Sequence, residues 1–348
     1  MTSLLGLTPA AIGEAIRGVA PEPFRAQQVA TWIYERRAAS FDEMTDVPKA
    51  LRAHLAGHFA VGLPKVLERT PAPDEAEKFL FELADGARVE AVFMKQARSA
   101  RSTVCVSSQA GCALDCAFCV TGRMGAGRNL TAGEIVGQLL AVAREKKVPA
   151  GGADVVFMGM GEPLLNLPNV LGALDLFERE LSPKRITVST AGIVPGIDAL
   201  AARPRRPNLA VSLAAADEAV RTRLMPIDLK WPLKELLAAL RRWPLEKGRR
   251  ITFEVVLIEG VNDRPSDARA LVRVARQVPS KVNLIPLNES EEWLSGMHRP
   301  APAAVDAFAK LLSDARVPVT VRWSKGLEAA AACGQLKGRS APRRAVRR

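Results

Sequence analysis

The sequence predicts an α/β protein whose main part is a partial (βα)6 barrel, preceded by a small helical domain and a β-hairpin extension. From about residue 103 onward, short apolar strands alternate with helical stretches, which is typical of parallel strands joined by right-handed crossovers. Before that point, apolar residues recur at helical spacing over residues 1–60 and at strand spacing over residues 78–94. Six or seven strand–helix units favour an open barrel over a flat, doubly wound sheet.

The first part of the chain is predicted to form three helices. They are expected in the segments TPAAIGEAIRG, FRAQQVATWIYERR and VPKALRAHLAGHFA, where apolar residues lie three and four positions apart. The same part of the chain carries the basic residues Arg25, Arg36, Arg37 and Lys49. We predict that residues 1–62 form an accessory domain.

A β-hairpin is predicted between this domain and the barrel. The segment KFLFELADGARVEAVFM contains two apolar strands on either side of Asp85-Gly86, a dipeptide that favours a tight turn. Residues 63–97 are therefore assigned to a linker and a hairpin.

The barrel is assigned to residues 98–336. Its strands are expected in the segments TVCVSSQ, DVVFMGMG, RITVST, LAVSL, TFEVVLIEG, VNLIPLN and VTVRW. In such barrels the chemistry gathers at the carboxyl ends of the strands. A cysteine-rich loop, the segment GMGEP, Ser189, Ser212 and Asn288 all fall at those ends, which makes them candidates for a functional site.

Four helices between the later strands are expected in LPNVLGALDLFERE, PLKELLAALRRW, SDARALVRVARQ and PAAVDAFAKLLSDA. An earlier helix, TAGEIVGQLLAVAREKK, begins with Thr131-x-x-Glu134, the pattern of a capping box. The last twelve residues, 337–348, contain six basic side chains and are predicted to form a solvated tail.

The charge balance indicates the class of partner. The chain of 348 residues has 49 Lys and Arg against 37 Asp and Glu, a formal net charge of +12. A nucleic acid is the natural counterpart of such a charge, although basic proteins without that partner are also common. No apolar run approaches the roughly 18 residues of a membrane span, and the first residues lack the pattern of a secretory signal. We therefore expect a cytoplasmic protein that does not associate with membranes.

The five cysteines are Cys105, Cys112, Cys116, Cys119 and Cys333. An odd number, with three of them inside eight residues, does not suit the disulfide framework of a secreted protein. The spacing Cys-x3-Cys-x2-Cys favours an iron–sulfur cluster with three protein ligands and one open corner. A zinc site with Cys105 as the fourth ligand is the alternative.

Longer motifs around these cysteines point to a known family. The stretch SSQAGCALDCAFCVTGRMGAGRNLTAGEI resembles the cluster loop of radical S-adenosylmethionine (SAM) enzymes, and specifically that of the RlmN/Cfr family of RNA adenine methyltransferases. PFRAQQVATWIY, SFDEMTDVPKALR, VFMGMGEPLLN, KVNLIPLN and AACGQL resemble further segments of the same family, so the resemblance extends over nearly the whole chain. Within the family the motifs are most similar to the RlmN branch.

The resemblance implies two cofactors and the residues that hold them. Cys112, Cys116 and Cys119 would ligate a [4Fe–4S] cluster, and SAM would chelate its open iron. The SAM contacts implied by the family are Gly161, Glu162, Ser189, Ser212, Leu213, Ala214 and Asn288.

The resemblance also implies a reaction at C2 of adenine in 23S rRNA and in tRNA. Cys333 would accept a methyl group from one SAM, and a radical from a second SAM would activate that methyl group for addition to C2. Glu90 would act as the base that removes the C2 proton. Cys105 would then attack the sulfur of Cys333, releasing the methylated RNA and leaving a disulfide.

The implied partners are 23S rRNA, tRNA and an electron-donating flavodoxin or ferredoxin system, and we expect a monomer. Residues 1–62 become an RNA-recognition domain under this interpretation.

Two segments depart from the family pattern. Ala214 stands where the family usually has His, and KGLEAAAACGQL replaces an acidic loop before Cys333. Methylation at C8 of adenine and a non-catalytic iron–sulfur protein that binds RNA are the two alternatives.

Overall fold

The computed structural model describes residues 1–96, 101–326 and 329–338. The predicted basic tail lies outside the described residues from position 339 onward. No helix in these described ranges is both long and apolar enough to cross a membrane.

The first sixty residues form the three predicted helices. These are α1 (Pro9–Ile16), α2 (Pro23–Tyr34) and α3 (Lys49–His58). Two short strands, β1 (Thr2–Ser3) and β2 (Phe59–Ala60), pair in parallel and bring the two ends of the segment together.

An antiparallel part of the main sheet follows, consisting of β3 (Lys65–Pro71), β4 (Ala76–Glu82) and β5 (Arg88–Lys95). Strands β4 and β5 are the predicted hairpin. Strand β3 was not predicted, because it is a half-exposed edge strand whose sequence, KVLERTP, lacks a run of apolar residues. The hairpin is continuous with the barrel, since β5 pairs antiparallel with the first barrel strand.

The barrel consists of parallel strands that alternate with helices. Its strands are β6 (Ser102–Cys105), β7 (Ala153–Phe157), β8 (Ile186–Thr190), β9 (Asn208–Ser212), β10 (Ile251–Leu257), β11 (Ser280–Pro286) and β12 (Val319–Val321). Its helices are α4 (Val120–Met124), α5 (Ala132–Glu145), α6 (Leu167–Phe177), α7 (Val194–Ala201), α8 (Glu218–Leu224), α9 (Leu233–Arg242), α10 (Pro265–Ala275) and α11 (Pro302–Asp314).

The strand order in the main sheet follows the chain, from β3 at one edge to β12 at the other. Six strand–helix units precede the last strand, so the sheet is an open (βα)6 barrel, as the alternation predicts. All neighbours from β6 to β12 are parallel, and their carboxyl ends therefore share one rim.

The capping box at the start of α5 is also confirmed. The Thr131 side chain accepts a hydrogen bond from the backbone N–H of Glu134 at 3.1 Å, and the Glu134 carboxylate accepts one from the Thr131 N–H at 2.8 Å. Helices α4, α7 and α8 were not predicted. Helices α4 and α8 have five and seven residues, too few to show a clear apolar period.

The helical segment shares one continuous hydrophobic core with the barrel. A buried ion pair joins Arg37 to Glu180 at 3.1 Å, so Arg37 stabilises the packing rather than contributing to a basic surface. The backbones of the two parts also approach each other closely at Gly133 in α5, which lies against Leu5. The two parts are therefore packed tightly together.

We expect Gly133→Ala to destabilise the fold by about 1–3 kcal/mol, because overpacking displaces backbone atoms. An added Cβ at Gly133 would lie 2.4 Å from the carbonyl oxygen of Leu5, an atom that cannot rotate away. Denaturant unfolding measures this change. Gly57→Ala in α3 is the matched control, since no atom lies within 4 Å of its added Cβ and alanine favours the helix. Equal stability of the two variants would show that the contact does not constrain the packing.

Candidate active site

A cavity lies at the carboxyl rim of the barrel strands, and we call it the first cavity. Three cysteines of one loop line it, together with residues that follow β7, β8, β9 and β11. The predicted site residues among its lining are Cys112, Cys116, Cys119, Gly161, Glu162, Ser189, Ser212, Ala214, Asn288 and Cys333. The rim therefore gathers side chains that are far apart in the sequence.

The segment that leads into the cysteine loop is fixed by the helix that follows the loop. Gln138 of α5 is fully buried, accepts a hydrogen bond from the Ser107 N–H at 2.8 Å and donates one to the Ser107 carbonyl at 3.0 Å. Asn166 donates to the carbonyls of Ser108 and Leu130 at 2.8 and 2.7 Å. These buried amides satisfy backbone groups that no strand partner reaches.

The three thiols of the loop surround part of the first cavity. Burial raises the pKa of Cys112 to about 12 and also raises the pKa values of Cys116 and Cys119. Ligation of iron would therefore have to displace protons from these thiols. Within the described residues, no group of three or more His, Cys, Asp or Glu side chains is placed so that it could hold a single metal ion. Three thiols around a cavity fit a cluster of several irons, whose remaining corner would face the open space.

The zinc alternative requires Cys105 near the triplet. Cys105 instead lines a different cavity and is absent from the lining of the first. The geometry therefore favours three ligands from the loop over a four-cysteine zinc site.

Glu162 follows the GMG turn after β7, and its carboxylate is buried in the wall of the first cavity. It accepts hydrogen bonds from the backbone N–H groups of Leu164 at 3.0 Å and Ala191 at 2.7 Å. Burial raises its pKa to about 6. Gly161 has φ +95°, and a Cβ there would lie 2.5 Å from the side chain of Gln109. This glycine is therefore required by the close packing of two loops of the protein itself.

The other predicted SAM contacts divide into two groups. Ser189, Ser212 and Ala214 line the first cavity at the ends of β8 and β9. Leu213 does not, because its side chain is fully buried in the core, its N–H donates to the Glu254 carbonyl and its own carbonyl is also bonded. Asn288 lines the cavity and donates a 2.9 Å hydrogen bond to the carbonyl of Cys333.

A buried arginine that the sequence analysis missed fixes these strand ends. Arg221 of α8 is fully buried and pairs with Asp228 at 2.8 Å. Its guanidinium donates to the carbonyls of Ser212 and Ala191 at 3.1 Å each, and also to that of Leu213. One side chain thus positions the ends of both β8 and β9 through the five donors of a guanidinium.

Cys333 lies in a segment that crosses the rim next to the cysteine loop. Gly334 accepts a hydrogen bond from the Val120 N–H at 2.8 Å, and Leu336 accepts one from the Thr121 hydroxyl at 2.6 Å. These bonds attach the segment to α4, directly after Cys119. Cys333 lines the first cavity and is exposed to solvent.

A second cavity shares Cys333 with the first. Cys105 also lines it, and both thiols are free. Burial, followed by the neighbouring Cys333 thiol, raises the pKa of Cys105 to about 12. Arg322, Trp323 and Lys325 form part of the same cavity. Cys333 therefore faces both the three clustered thiols and Cys105.

Glu90 lies outside the lining of both cavities. Its side chain is buried on β5, where it forms an ion pair with Lys78 at 3.3 Å and accepts a hydrogen bond from the Lys337 N–H at 2.9 Å. It is two residues along the strand from Val92, which lines the second cavity, so both residues lie on the same face of β5.

Glu254 on β10 is a second residue that the sequence analysis did not single out. It lines the first cavity with only 6% of its surface exposed.

Comparisons with known proteins agree with this architecture. The family model described as "Ribosomal RNA large subunit methyltransferase N-terminal domain" matches residues 2–61, and the "Radical SAM superfamily" model matches residues 106–272. The chain is 45% identical over 346 residues to the dual-specificity RNA methyltransferase RlmN of Pelobacter propionicus, covering 97% of this chain and 96% of the relative. It is also 45% identical to the same enzyme of Geobacter sulfurreducens, covering 97% and 93% of the two chains.

The fold is likewise found in a solved structure. The crystal structure of a radical SAM methyltransferase from Sphaerobacter thermophilus superposes with a TM-score of 0.91 at 40% identity, covering 97% of this chain and all of the other. These similarities extend across the helical segment, the barrel and the cysteine loop, and confirm the resemblance inferred from the motifs. The chain belongs to the RlmN family of radical SAM RNA methyltransferases.

Proposed function

We propose that this enzyme methylates C2 of adenine in 23S rRNA and in tRNA, using Cys333 as the methyl carrier. The observation that carries the proposal is the position of Cys333, which lines both the cavity of the three clustered thiols and the cavity of Cys105. A methyl carrier must meet the methyl donor on one side and the acceptor base on the other, and this position provides both.

The first cavity is the proposed site of both cofactors. Cys112, Cys116 and Cys119 would hold the [4Fe–4S] cluster, and Glu162, Ser189, Ser212 and Asn288 would contact SAM. When bound there, the cluster would supply the one-electron chemistry for reductive cleavage of SAM. The buried carboxylate of Glu162 suits the ammonium group of SAM, because a neighbouring cation favours its ionised form.

The two remaining thiols would act in sequence. Cys333 accepts a methyl group from a first SAM, and a second SAM is consumed to activate that methyl group for addition to the base. Cys105 then attacks the sulfur of Cys333 and releases the RNA, leaving a disulfide. Their shared cavity supports this pairing, since the two sulfurs must meet without a large movement of the chain.

Glu90 remains the proposed base for the C2 proton. Its place beside the second cavity supports the role, although its carboxylate is now paired with Lys78 and with the Lys337 N–H. For the Glu90 carboxylate to reach the target adenine, the segment around Lys337 would have to move when RNA binds.

The second cavity is the proposed place of the target adenine. Its walls include the apolar side chains of Val92, Met94 and Ile285, and Trp323 at its edge is 48% exposed. Arg322 and Lys325 supply positive charge next to these apolar surfaces. A flipped base with its flanking phosphates matches this combination.

We further propose that residues 1–62 recognise RNA, that residues 63–97 connect this domain to the barrel, and that residues 98–336 perform the chemistry. The net charge of +12 supports phosphate contacts. Arg37 is excluded from this surface by its burial, whereas Arg36 and Lys49 are exposed. The enzyme would act as a cytoplasmic monomer, with electrons from a flavodoxin or ferredoxin system.

The test is product analysis with reconstituted protein. We expect 2-methyladenosine in 23S rRNA and tRNA after incubation with SAM and a reductant, because the chain is 45% identical to RlmN enzymes over nearly its whole length. Digestion to nucleosides and mass spectrometry against 2-methyl and 8-methyl standards measure the outcome. Protein without reductant is the control. 8-Methyladenosine would identify the Cfr-type alternative, and bound RNA without methylation would identify the non-catalytic alternative.

A further inference from the structure

Glu254 is a buried carboxylate with one oxygen that lacks a hydrogen-bond partner. Its Oε1 accepts a hydrogen bond from Asn283 at 3.0 Å, whereas its Oε2 is buried and makes no hydrogen bond within the described residues. Leaving a buried polar atom unpaired is costly, so such an atom calls for a functional explanation. The side chain lines the first cavity, which makes that cavity the natural place for a missing partner.

The electrostatic surroundings connect Glu254 with Cys333. Both residues line the first cavity. Burial raises the pKa of the Cys333 thiol; Arg322 opposes this rise, and the negative charge of Glu254 adds to it. Burial raises the pKa of Glu254 itself. Arg322, Asn283 and Lys281 oppose this rise. Carboxylate, thiol and guanidinium therefore form one interacting group.

Other carboxylates near the cavities are already engaged. Both oxygens of Glu162 accept backbone hydrogen bonds, and both oxygens of Glu90 are bonded outside the cavity lining. Among the described residues that line the first cavity, Glu254 and Glu162 are the two carboxylates, and only Glu254 has an unpartnered oxygen.

Building on the function proposed above, we propose that Glu254 accepts the proton of the Cys333 thiol when that sulfur takes its methyl group from SAM. The S–H bond of Cys333 breaks and its proton moves to Oε2 of Glu254. The sulfur electron pair forms the new S–CH3 bond while the bond between that methyl group and the sulfonium of SAM breaks. The products are S-methylcysteine, S-adenosylhomocysteine and a neutral Glu254, which later loses its proton to water.

This role explains why a carboxylate is placed beside a nucleophilic thiol. A permanent negative charge alone would disfavour the thiolate, whereas a carboxylate that takes up the proton is neutral when the thiolate reacts. Arg322 then stabilises the thiolate, since its positive charge is no longer offset by Glu254.

The experiment compares Glu254→Gln with the wild-type enzyme, both prepared with an unmethylated Cys333 and a reconstituted cluster. SAM is added without reductant or RNA, and S-methylation of the Cys333 peptide is followed by mass spectrometry together with S-adenosylhomocysteine. We expect methylation to be about 100-fold slower in the variant, the usual order for loss of a general base. Iron content and the Kd for SAM should be unchanged. Glu259→Gln, on the exposed loop after β10, is the matched control and should behave like the wild type.

A second measurement separates proton transfer from structural damage. Alkylation of Cys333 by iodoacetamide depends on thiolate that is already present, so its rate should stay constant or rise in Glu254→Gln, where a negative charge has been removed. Slow methylation with undiminished alkylation supports the proposal. Wild-type methylation rates in the variant, parallel loss of methylation and alkylation, or a weakened Kd for SAM with normal methylation at saturation would each overturn it. Absence of S-methylation in the wild-type enzyme would overturn the proposed function itself.

Discussion

Replacing Cys105 by alanine is expected to trap the enzyme covalently on its RNA substrate. Without this thiol, nothing attacks the Cys333 sulfur once the methyl carbon has bonded to the base, so the adduct cannot be released. Replacing Cys333 by alanine should instead abolish methylation and adduct formation together, because no carrier remains. We expect at least about a 1000-fold loss of released product in both variants, the scale on which removal of a catalytic nucleophile acts.

A denaturing gel with labelled RNA measures the adduct, and nucleoside analysis measures released product. The double variant Cys105→Ala/Cys333→Ala is the control, because it should form no adduct despite lacking the resolving thiol. Thermal unfolding of each variant checks that the buried Cys105 position tolerates alanine. Normal turnover by Cys105→Ala would contradict its assignment as the resolving residue.

Much of the fold could be predicted from the sequence, because long apolar periods are local signals. The three N-terminal helices, the hairpin at Asp85-Gly86 and the parallel strands each leave such a period in the sequence. Strand β3 and the short helices α4 and α8 leave no such period, since their secondary structure depends on contacts with residues that are distant in the sequence. The shared core of the helical segment and the barrel could not be predicted from the sequence either. Gly133 packs against Leu5, but nothing in the sequence distinguishes it from any other helical glycine.

The candidate site likewise contains residues that could be predicted from the sequence and residues that could not. The spacing of the three loop cysteines and the family resemblance predicted residues whose role depends on their chemical type, and the structure brings ten of them to one cavity. Arg221 and Glu254 escaped because a lone charged residue in a sequence is normally solvent-exposed, and only the fold reveals that these two are buried. Leu213 was assigned with its neighbours, but its side chain, directly after β9, is buried in the core.

The shared core also changes how RNA recognition should be tested. Deleting residues 1–60 would expose the apolar surface that the barrel buries against them, so a loss of methylation would not distinguish recognition from unfolding. Exposed basic residues such as Arg36 and Lys49 offer substitutions that leave this core intact.

Loss of any one thiol of the triplet is expected to remove the iron–sulfur cluster. Cys112→Ala, Cys116→Ala and Cys119→Ala should each yield anaerobically purified protein with little iron and no brown colour, since a cluster held by three thiolates cannot keep its place with two. Iron and sulfide analysis together with the visible absorption spectrum measure the effect.

Cys105→Ala and Cys333→Ala are the matched controls for the triplet. Both thiols lie near the site, and Cys333 even lines the same cavity, yet neither is assigned to the cluster. These two variants should therefore retain wild-type iron content and colour, while the triplet variants lose both. Stoichiometric zinc without iron in the wild-type protein, with loss of that zinc in Cys105→Ala, would instead establish the four-cysteine site. Because Cys105 lines the second cavity and not the first, we expect its replacement to leave the metal content unchanged.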